Sequence, residues 1–579
     1  MAKLQKLFQN KLFCLILLLL LILPSFSFFL KPGIYYNMHD DMQMIRQLQL
    51  EKCLQDGQIP CRWVPDLGNG YGYPLFNFYP PLPYIVGQSF RTLGFSFADS
   101  VKLATATQFV LASSFMFLLA ASIFGNYAGL IAALFFNYAP YHALNVYVRG
   151  AMNEAWAAAF FPLIFYFSRK LILEKKTFDL VGLALSFCFL LLSHNPMALT
   201  FFPFLIIWCL FWILSKSKNI THIYDSFLKL AISGFLTLGL SAFFTLPVLL
   251  ESKLVQIDTM FSNYYHFSVH FTSLYQLFIS NFWGEGPSLW GPDDGMSFMI
   301  GYLHWIIPLL LFLLSLIMLI KTRKITQNLI LFVIVFSSAF FTAFLTHERS
   351  NFLWQILTPI QKIQFPWRFL NLTAFFFSLS AAFIVVFLKN KLPQKIFFSI
   401  LSLTIVLLLI INTGYFKPLT FGPISDDEKF SGQNWTRQVT ASIYDYLPTT
   451  APKAALDNPP QRFVADFNNP DNSLNISGLK KGTDWFLFNV NLSQESDLVL
   501  SQLSFPNFII EDNGQPIGHN TDPEFGRMII NLSPGQHLIY GKLHDTPIRT
   551  ISNYLSLAAW VFILSYYSKP LWKKLIFKK

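Results

Sequence analysis

Charge is what this 579-residue sequence has least of, because Asp, Glu, Lys and Arg together make up only 13% of it. Ordinary soluble domains contain about a quarter charged residues. Hydrophobic residues reach 54%, and phenylalanine alone occurs 65 times. This scarcity of charge excludes a soluble fold and predicts an all-α polytopic membrane protein.

Charge is missing above all from apolar segments of the length that a bilayer core requires, about 20 residues per helix. We predict about twelve transmembrane helices, at residues 12–30, 101–124, 127–148, 152–172, 178–193, 196–215, 228–250, 298–320, 328–346, 369–388, 395–415 and 551–568. The segment 81–97 is also apolar, but a full crossing there would place a basic loop outside. We therefore predict an interfacial or re-entrant helix for it.

The distribution of lysine and arginine predicts the orientation. These residues collect in alternate loops and in the tail, which places both termini in the cytoplasm. The N-terminal run lacks a small-x-small cleavage site, so we expect an uncleaved anchor. The formal net charge of +11 then reflects topology and contact with membrane lipids, and no nucleic-acid partner is expected.

This topology divides the chain into five predicted parts. They are an anchor helix at 1–30, a first extracytoplasmic loop with interfacial helices at 31–100, a multi-span membrane domain at 101–415 with outer loops 251–297 and 347–368, an extracytoplasmic mainly-β domain at 416–549, and a last transmembrane helix with a basic cytoplasmic tail at 550–579. Short β-type runs between turns predict a β-sandwich-like fold for residues 416–549.

Cysteine is scarce as well, with five residues in the chain. Three of them lie inside predicted spans, whereas Cys53 and Cys61 share the first outer loop. An oxidising compartment would permit a disulfide between these two. The sequence leaves open whether it forms.

The first outer loop begins with His39-Asp40-Asp41, where the anchor helix meets water. Apolar residues at i,i+4 spacing predict an amphipathic helix at 41–56 that ends at Gly57. Asp40 is therefore either a reactive acid or the N-cap of this helix, with Gln43 as its capping-box partner. Capping does not account for Asp41.

Two patterns that suggest metal ligands have simpler explanations. His266 and His270 are spaced for one helix face, but no third ligand accompanies them, so we predict no zinc site there. Asp293 and Asp294 lie in a sequence typical of a turn.

Several motifs together resemble a known family. They are His39-Asp40-Asp41, Gly57-x-Ile-Pro-x-Arg62-Trp63, Asn69-Gly-Tyr71-Gly-Tyr73-Pro, Arg149-Gly-Ala-Met-Asn-Glu154, Ser193-His194-Asn195-Pro196 and Gln364-Phe-Pro-Trp-Arg368-Phe369. Over nearly the whole chain this combination is similar to bacterial membrane proteins described as 6-pyruvoyl-tetrahydropterin synthase related, which are akin to YfhO-like proteins of the GT-C glycosyltransferase class. The resemblance implies a GT-C-like fold in the bacterial cytoplasmic membrane. Pterin synthase chemistry is not expected, because the histidines of its zinc site are missing.

The resemblance also implies an activity, which is transfer of a sugar from a polyprenyl-phosphate donor to an extracytoplasmic glycan, lipid or polymer. Asp40 and Asp41 occupy the position of the acid that this class keeps in its first outer loop, and Glu154 offers a second carboxylate. Asp40 or Asp41 would deprotonate the acceptor hydroxyl or hold a divalent metal ion. The sequence leaves open whether such a metal ion is required, and no other cofactor is expected.

Arginine suits the departing phosphate, since a guanidinium group grips two phosphate oxygens at once. Arg149, Arg368 and Arg62 are the candidates. The structural alternatives are an ion pair between Arg149 and Glu154 and an interfacial anchor at Arg368. Further substrate contacts are predicted at His39, Tyr71, Tyr73 and His194. Interfacial anchoring is the commoner role for single tyrosines, and a turn is the commoner explanation for His194.

Two other classes of function fit the same topology. One is a transporter or flippase that moves a lipid-linked sugar intact, and the other is a non-catalytic glycolipid-binding assembly protein. Transporters usually place ionisable groups near the bilayer midplane. Within the predicted spans there are few, such as His142 and His304, and this favours the enzyme.

Overall fold

A computed structural model describes the fold of the chain. The described residues are 7–216, 219–289, 291, 294–389, 391–441, 444–454, 462–471 and 473–576, with side chains as far as residue 566. Asp293 of the predicted turn and the end of the predicted basic tail lie outside the described residues.

Ten helices among the described residues are long and apolar enough to cross a membrane, which makes the chain an integral membrane protein. They are Lys11–Leu30, Phe97–Phe124, Met152–Glu174, Asn195–Lys216, Ile220–Leu254, Tyr302–Thr322, Gln327–Phe344, Pro366–Leu388, Gln394–Tyr415 and Pro547–Tyr566. Two further predicted spans are shorter apolar helices, Asn126–Asn137 and Thr177–Ser193. The first is short because Pro140 starts a new turn, Pro140–Ala143, which continues as the π-helical segment Leu144–Val148.

Contacts divide the chain into two compact units. The first contains residues up to Asp41, Ala98–Thr237 and Asn263–Pro423. It includes most of the apolar helices and a two-stranded antiparallel sheet, in which β1 (Ile34–Tyr36) pairs with β2 (Phe421–Pro423). Its short helices are Leu274–Phe278, Asn351–Ile356, Thr358–Gln361 and Phe383–Leu388.

The core of the first unit is built from aromatic rings. The helix Leu370–Ala381 is buried at every residue, so it lies at the centre of the unit. Phe161 stacks on Phe201 at a centroid distance of 4.5 Å, and Phe165 stacks on Trp208 at 4.4 Å. The abundant phenylalanine therefore serves helix packing.

The second unit contains Met42–Phe97, Leu238–Ser262 and the residues from Ile424 onward. Its helices are Gln43–Gln55, Leu75–Phe78, Leu82–Thr92, Asp426–Lys429, Gly432–Thr440 and Pro547–Ile576. The helix Leu82–Thr92 has 11 residues, or about 16 Å at 1.5 Å per residue, which is too short to cross a bilayer.

A β-sandwich-like domain precedes the last helix, as predicted. Its strands are β3 (Val464–Asp466), β4 (Asn475–Lys481), β5 (Trp485–Leu492), β6 (Ser496–Leu503), β7 (Phe508–Asp512), β8 (Gln515–Ile517), β9 (Asn520–Thr521), β10 (Arg527–Leu532) and β11 (Gly535–Leu543). One sheet has the order β3-β6-β10-β9 and the other β4-β5-β11-β7-β8, with every pair antiparallel. In β5, buried Phe486, Phe488 and Val490 alternate with more exposed residues, the period expected for one packed face.

Two local features of the first outer loop decide alternatives that the sequence left open. Cys53 and Cys61 form a disulfide, with their Cα atoms 5.5 Å apart. The helix that follows the acidic pair runs from Gln43 to Gln55 and has Met42 in the N-cap position. The alternative in which Asp40 is the N-cap is therefore wrong, because the turn continues for two residues beyond it.

Candidate active site

The acidic residues of the first outer loop lie beside Arg149. The backbone N–H of His39 donates to the carbonyl of Val148 at 3.0 Å, and the N–H of Asp40 donates to the carbonyl of Arg149, also at 3.0 Å. The His39 ring contacts the carbonyl oxygen of Glu285 through Nε2 at 2.7 Å. These bonds hold Asp40 and Asp41 next to the Arg149 segment within the first unit.

Gly150 lets the two segments approach this closely. It has a φ of +65°, and a Cβ atom at this position would collide with the side chain of Met38. Glycine adopts this left-handed backbone conformation without the steric cost that other residues incur. The Arg-Gly pair of the motif is thus explained by geometry.

A buried carboxylate joins two arginines, and we call Arg149, Glu154 and Arg368 the first cluster. Oε1 of Glu154 accepts from Nη1 of Arg149 at 2.9 Å, and its Oε2 accepts from Nε of Arg368 at 3.1 Å. The Tyr141 hydroxyl at 3.1 Å and Nδ2 of Asn371 at 2.7 Å also donate to Oε1. With 1% of its side chain exposed, Glu154 is fully enclosed by these donors.

Two asparagines close the network into a ring. Arg149 donates to Oδ1 of Asn145, Nδ2 of Asn145 donates to Oδ1 of Asn371 at 2.9 Å, and Asn371 donates to Glu154. Asn145 lies in the π-helical segment, a backbone irregularity that is frequent at functional sites. Because each member has a fixed partner, the ring holds the Arg149 side chain in one position.

Both arginines of the first cluster retain unused donors. Arg368 also donates from Nη1 to the carbonyl of Ile363 at 2.8 Å and to Oε1 of Gln364 at 3.1 Å. Its Nη2 makes no hydrogen bond to any described residue, and 14% of its side chain remains exposed. The Arg149 guanidinium lies over the Trp367 ring at 4.3 Å, and only its Nη1 bonds to described residues.

The charges around the first cluster change the protonation of its neighbours. Burial tends to lower the pKa of Arg149, but Glu154 first, and then Tyr141 and Asp40, raise it above its ordinary value, so the group stays charged. Burial, and next the Arg368 cation, lower the pKa of His194 to about 3. Burial and the nearby Asp41 raise the pKa of Tyr36. His194 is therefore a neutral imidazole at pH 7.

The third predicted arginine belongs to the second unit and is occupied by protein groups. Nη1 of Arg62 donates to Asn77 at 2.7 Å, Nη2 donates to the Phe243 carbonyl at 3.2 Å and to Asn553 at 2.8 Å, and Nε faces Asp545 at 3.2 Å. Burial lowers its pKa to about 10, with Asp545 acting in the opposite direction. Nη1 and Nη2 are hydrogen-bonded to protein oxygens and Nε is buried beside Asp545, so no nitrogen of this guanidinium group is open to a phosphate.

Glu251 connects Arg62 to another arginine, and we call Arg62, Glu251 and Arg549 the second cluster. Nε of Arg549 donates to Oε2 of Glu251 at 2.8 Å, and the Thr546 hydroxyl donates to Oε1 at 2.5 Å. Asn77, which accepts from Arg62, donates to Oε2 of Glu251 at 3.2 Å. Only 1% of the Arg549 side chain is exposed.

The two predicted tyrosine contacts are buried in the second unit. Tyr71 is 4% exposed and lies beside Arg527, and Tyr73 is 1% exposed and stacks on Tyr446 at 6.1 Å. Neither ring shows a face to solvent. Contact with a substrate would require both to be uncovered.

Tyr141, Asn145 and Asn371 were not among the predicted site residues. A signal was available for Asn145 and Asn371, because each is a polar amide inside a predicted span, where it needs a partner and is often functional. No group of three or more His, Cys, Asp or Glu side chains among the described residues is arranged to hold a metal ion.

Comparison with known proteins gives distant similarities. No family model matches the chain. An uncharacterized protein of Lactococcus lactis subsp. cremoris strain MG1363 is 26% identical over 250 residues, which is 42% of this chain and 40% of that protein. The arabinofuranosyltransferase AftD from Mycobacteria aligns at 14% identity with a TM-score of 0.42, over 72% of this chain and 27% of that one. The Archaeoglobus fulgidus oligosaccharyltransferase aligns at 16% identity and a TM-score of 0.31, over 77% and 58%.

Proposed function

We propose that this protein is a membrane glycosyltransferase. It moves a sugar from a polyprenyl-phosphate donor to a glycan, lipid or polymer outside the cytoplasm. One observation carries the proposal, namely that an acidic pair is bonded to a segment whose arginine shares a buried carboxylate with a second arginine. A base and a place for a leaving phosphate are thus adjacent, as transfer from a phosphate carrier requires.

In the proposed reaction, Asp40 or Asp41 removes the proton from the acceptor hydroxyl as that oxygen attacks the anomeric carbon. The bond from carbon to phosphate oxygen breaks, and the electron pair leaves with the polyprenyl phosphate. The unused donors of Arg368 and Arg149 neutralise the developing charge. A divalent metal ion on Asp40 or Asp41 is the alternative role for these acids, because carboxylate oxygen is the ligand that Mg²⁺ prefers.

We assign Glu154 to hold the two arginines. A carboxylate that already accepts four hydrogen bonds from protein groups is poorly placed to take a proton from a substrate. An isolated buried charge is costly, so each arginine depends on Glu154 to stay in place. His194 contributes a neutral ring beside Arg368, and His39 remains a predicted substrate contact.

The direct test measures release of carrier from labelled polyprenyl-phosphate sugars by the purified full-length protein in lipid discs. Asp40→Asn and Asp41→Asn should each be compared with Asp427→Asn, which alters an exposed acid of the helix Asp426–Lys429. We expect the rate of carrier release to fall about 100-fold or more in at least one of the two loop variants, because a general base contributes about that much to the rate. Full activity in both loop variants would overturn the assignment.

The same preparation tests the competing classes. A flippase would move the intact labelled lipid across the bilayer without releasing carrier. An assembly protein would bind the lipid and do neither. Carrier release that depends on an acceptor sugar would exclude both.

A further inference from the structure

We propose that the outer loops of the first unit contain a separate saccharide-binding pocket, formed by Ser268, Phe271, Glu348, Arg349 and Asn351. The cavity has a volume of about 370 Å³, within the range of small-molecule sites. Its residues come from two segments that the sequence analysis placed in the outer loops 251–297 and 347–368. No residue of the first cluster lines it.

The charged residues of this pocket are available to a ligand. Glu348 and Arg349 are exposed, and neither side chain makes an ion pair or hydrogen bond with any described residue. A free carboxylate next to a free guanidinium offers acceptors and donors together, and neighbouring sugar hydroxyls, which both donate and accept, satisfy such a pair.

The pocket wall also contains a buried amide oxygen that lacks a hydrogen-bond partner among the described residues. This atom is Oδ1 of Asn351. A buried polar atom left unpaired carries an energetic cost, which a ligand donor would remove. A hydroxyl group is such a donor, whereas an anionic ligand without one would repel both this oxygen and Glu348. The guanidinium of Arg349 in the same lining would repel a cation, so the proposed occupant is a neutral, hydroxyl-rich molecule.

Aromatic packing connects the pocket to the first cluster. The ring of Phe271 packs edge-on against Trp354 at 6.0 Å, and Trp354 packs edge-on against Phe369 at 5.9 Å. Phe369 directly follows Arg368 in the chain. The pocket is thus connected to the segment of Arg368 through the rings of Trp354 and Phe369. Given the proposed function, on which this step rests, its occupant is the acceptor saccharide.

The test uses the full-length protein in lipid discs and saturation-transfer NMR with cellotriose, maltotriose and an arabinose trimer as probes. We expect at least one trisaccharide to bind. The Glu348→Ala/Arg349→Ala double variant and the Asn351→Leu variant should each bind it about tenfold or more weakly, since hydrogen bonds to these groups are lost. The control is Lys453→Ala/Glu524→Ala, which removes an exposed acid and base elsewhere and should bind like wild type.

Two outcomes would overturn the pocket: no binding of any trisaccharide by wild type, or equal binding by the pocket variants and the control. Failure of the proposed transfer gives a different result. Wild-type protein would then release no carrier, while trisaccharide binding and its loss in the pocket variants would persist.

Discussion

The two units each bury a carboxylate between two arginines, and the surroundings of these clusters differ. In the first cluster, Arg368 has an unused Nη2 and 14% of its side chain exposed, and an acidic loop is bonded to the Arg149 segment. In the second cluster, Arg62 and Arg549 are 6% and 1% exposed, and each nitrogen of Arg62 faces a protein oxygen.

The difference shows that an arginine–glutamate–arginine arrangement does not by itself identify a reactive site. Nε of Arg62 and Nη2 of Arg549 make no hydrogen bond to any described residue, but both are buried, whereas Arg368 is partly exposed beside an acidic loop. This accessibility is why we propose the first cluster as the phosphate site. The second cluster brings together the segments around residues 62, 77, 251 and 549 and holds them there. The comparison can be tested by asking which cluster controls stability and which controls activity.

The largest effect is expected from Glu251→Ala. Without this carboxylate, Arg549 is a buried charge without its partner, and loss of one member of a buried ion pair costs about 3–5 kcal/mol. Thermal unfolding of the purified protein should show the loss. The fraction that stays folded should keep its specific activity, and a selective loss of activity at unchanged stability would contradict the comparison.

Arg368→Gln should have the opposite pattern. Removing one donor to a developing negative charge lowers kcat by about 100- to 1,000-fold. The amide keeps much of the volume, so thermal stability should fall less than in Glu251→Ala. Carrier release and unfolding, measured on the same preparation, check both parts. Equal activity of Arg368→Gln and wild type would remove the phosphate role.

A smaller change, Gly150→Ala, tests whether the acidic loop must lie against the first cluster. The new Cβ would meet Met38 at a positive φ, which we expect to cost about 1–3 kcal/mol and to displace the loop. Displacement of the acid by about 1 Å would lower activity by about 100-fold. Gly414→Ala is the matched control, because nothing lies within 4 Å of its Cβ. Similar activity in the two variants would show that the close approach is not needed.

The smallest effect is a pH dependence of stability. The pKa of His194 is lowered from 6.5 to about 3, so between these values the unfolded chain binds the proton more readily than the folded chain. Stability should therefore rise with pH across this window. His194→Asn should reduce the difference in unfolding temperature between about pH 5 and about pH 7. An unchanged difference would show that His194 is not the group responsible.

Sequence reasoning located the first cluster because its members lie in short motifs that contain a reactive residue type. Arg149 and Glu154 are five residues apart, and Arg368 stands out as a cation at the end of an apolar span. The long apolar runs likewise predicted the membrane helices, and the alternating pattern of β5 predicted the β domain. Local patterns sufficed wherever the neighbours were close in the chain.

Partners that are distant in the chain could not be predicted from the sequence. The donors of Arg62 are taken by residues 243, 545 and 553, which no spacing rule connects to it. Tyr71 and Tyr73 are predicted substrate contacts, and no local pattern indicates that Arg527 and Tyr446 lie beside them. Helix start positions also depend on the turn before them, as Met42 shows.

The disulfide between Cys53 and Cys61 can be used to determine the orientation of the chain in the membrane. A structural disulfide persists only where thiols are not kept reduced, so its presence in cells identifies the side of the membrane on which this loop matures. Alkylating the cysteine thiols in isolated membranes before and after reduction would show whether the disulfide has formed. Redox chemistry at two cysteines thus reports which side of the membrane the acidic loop faces.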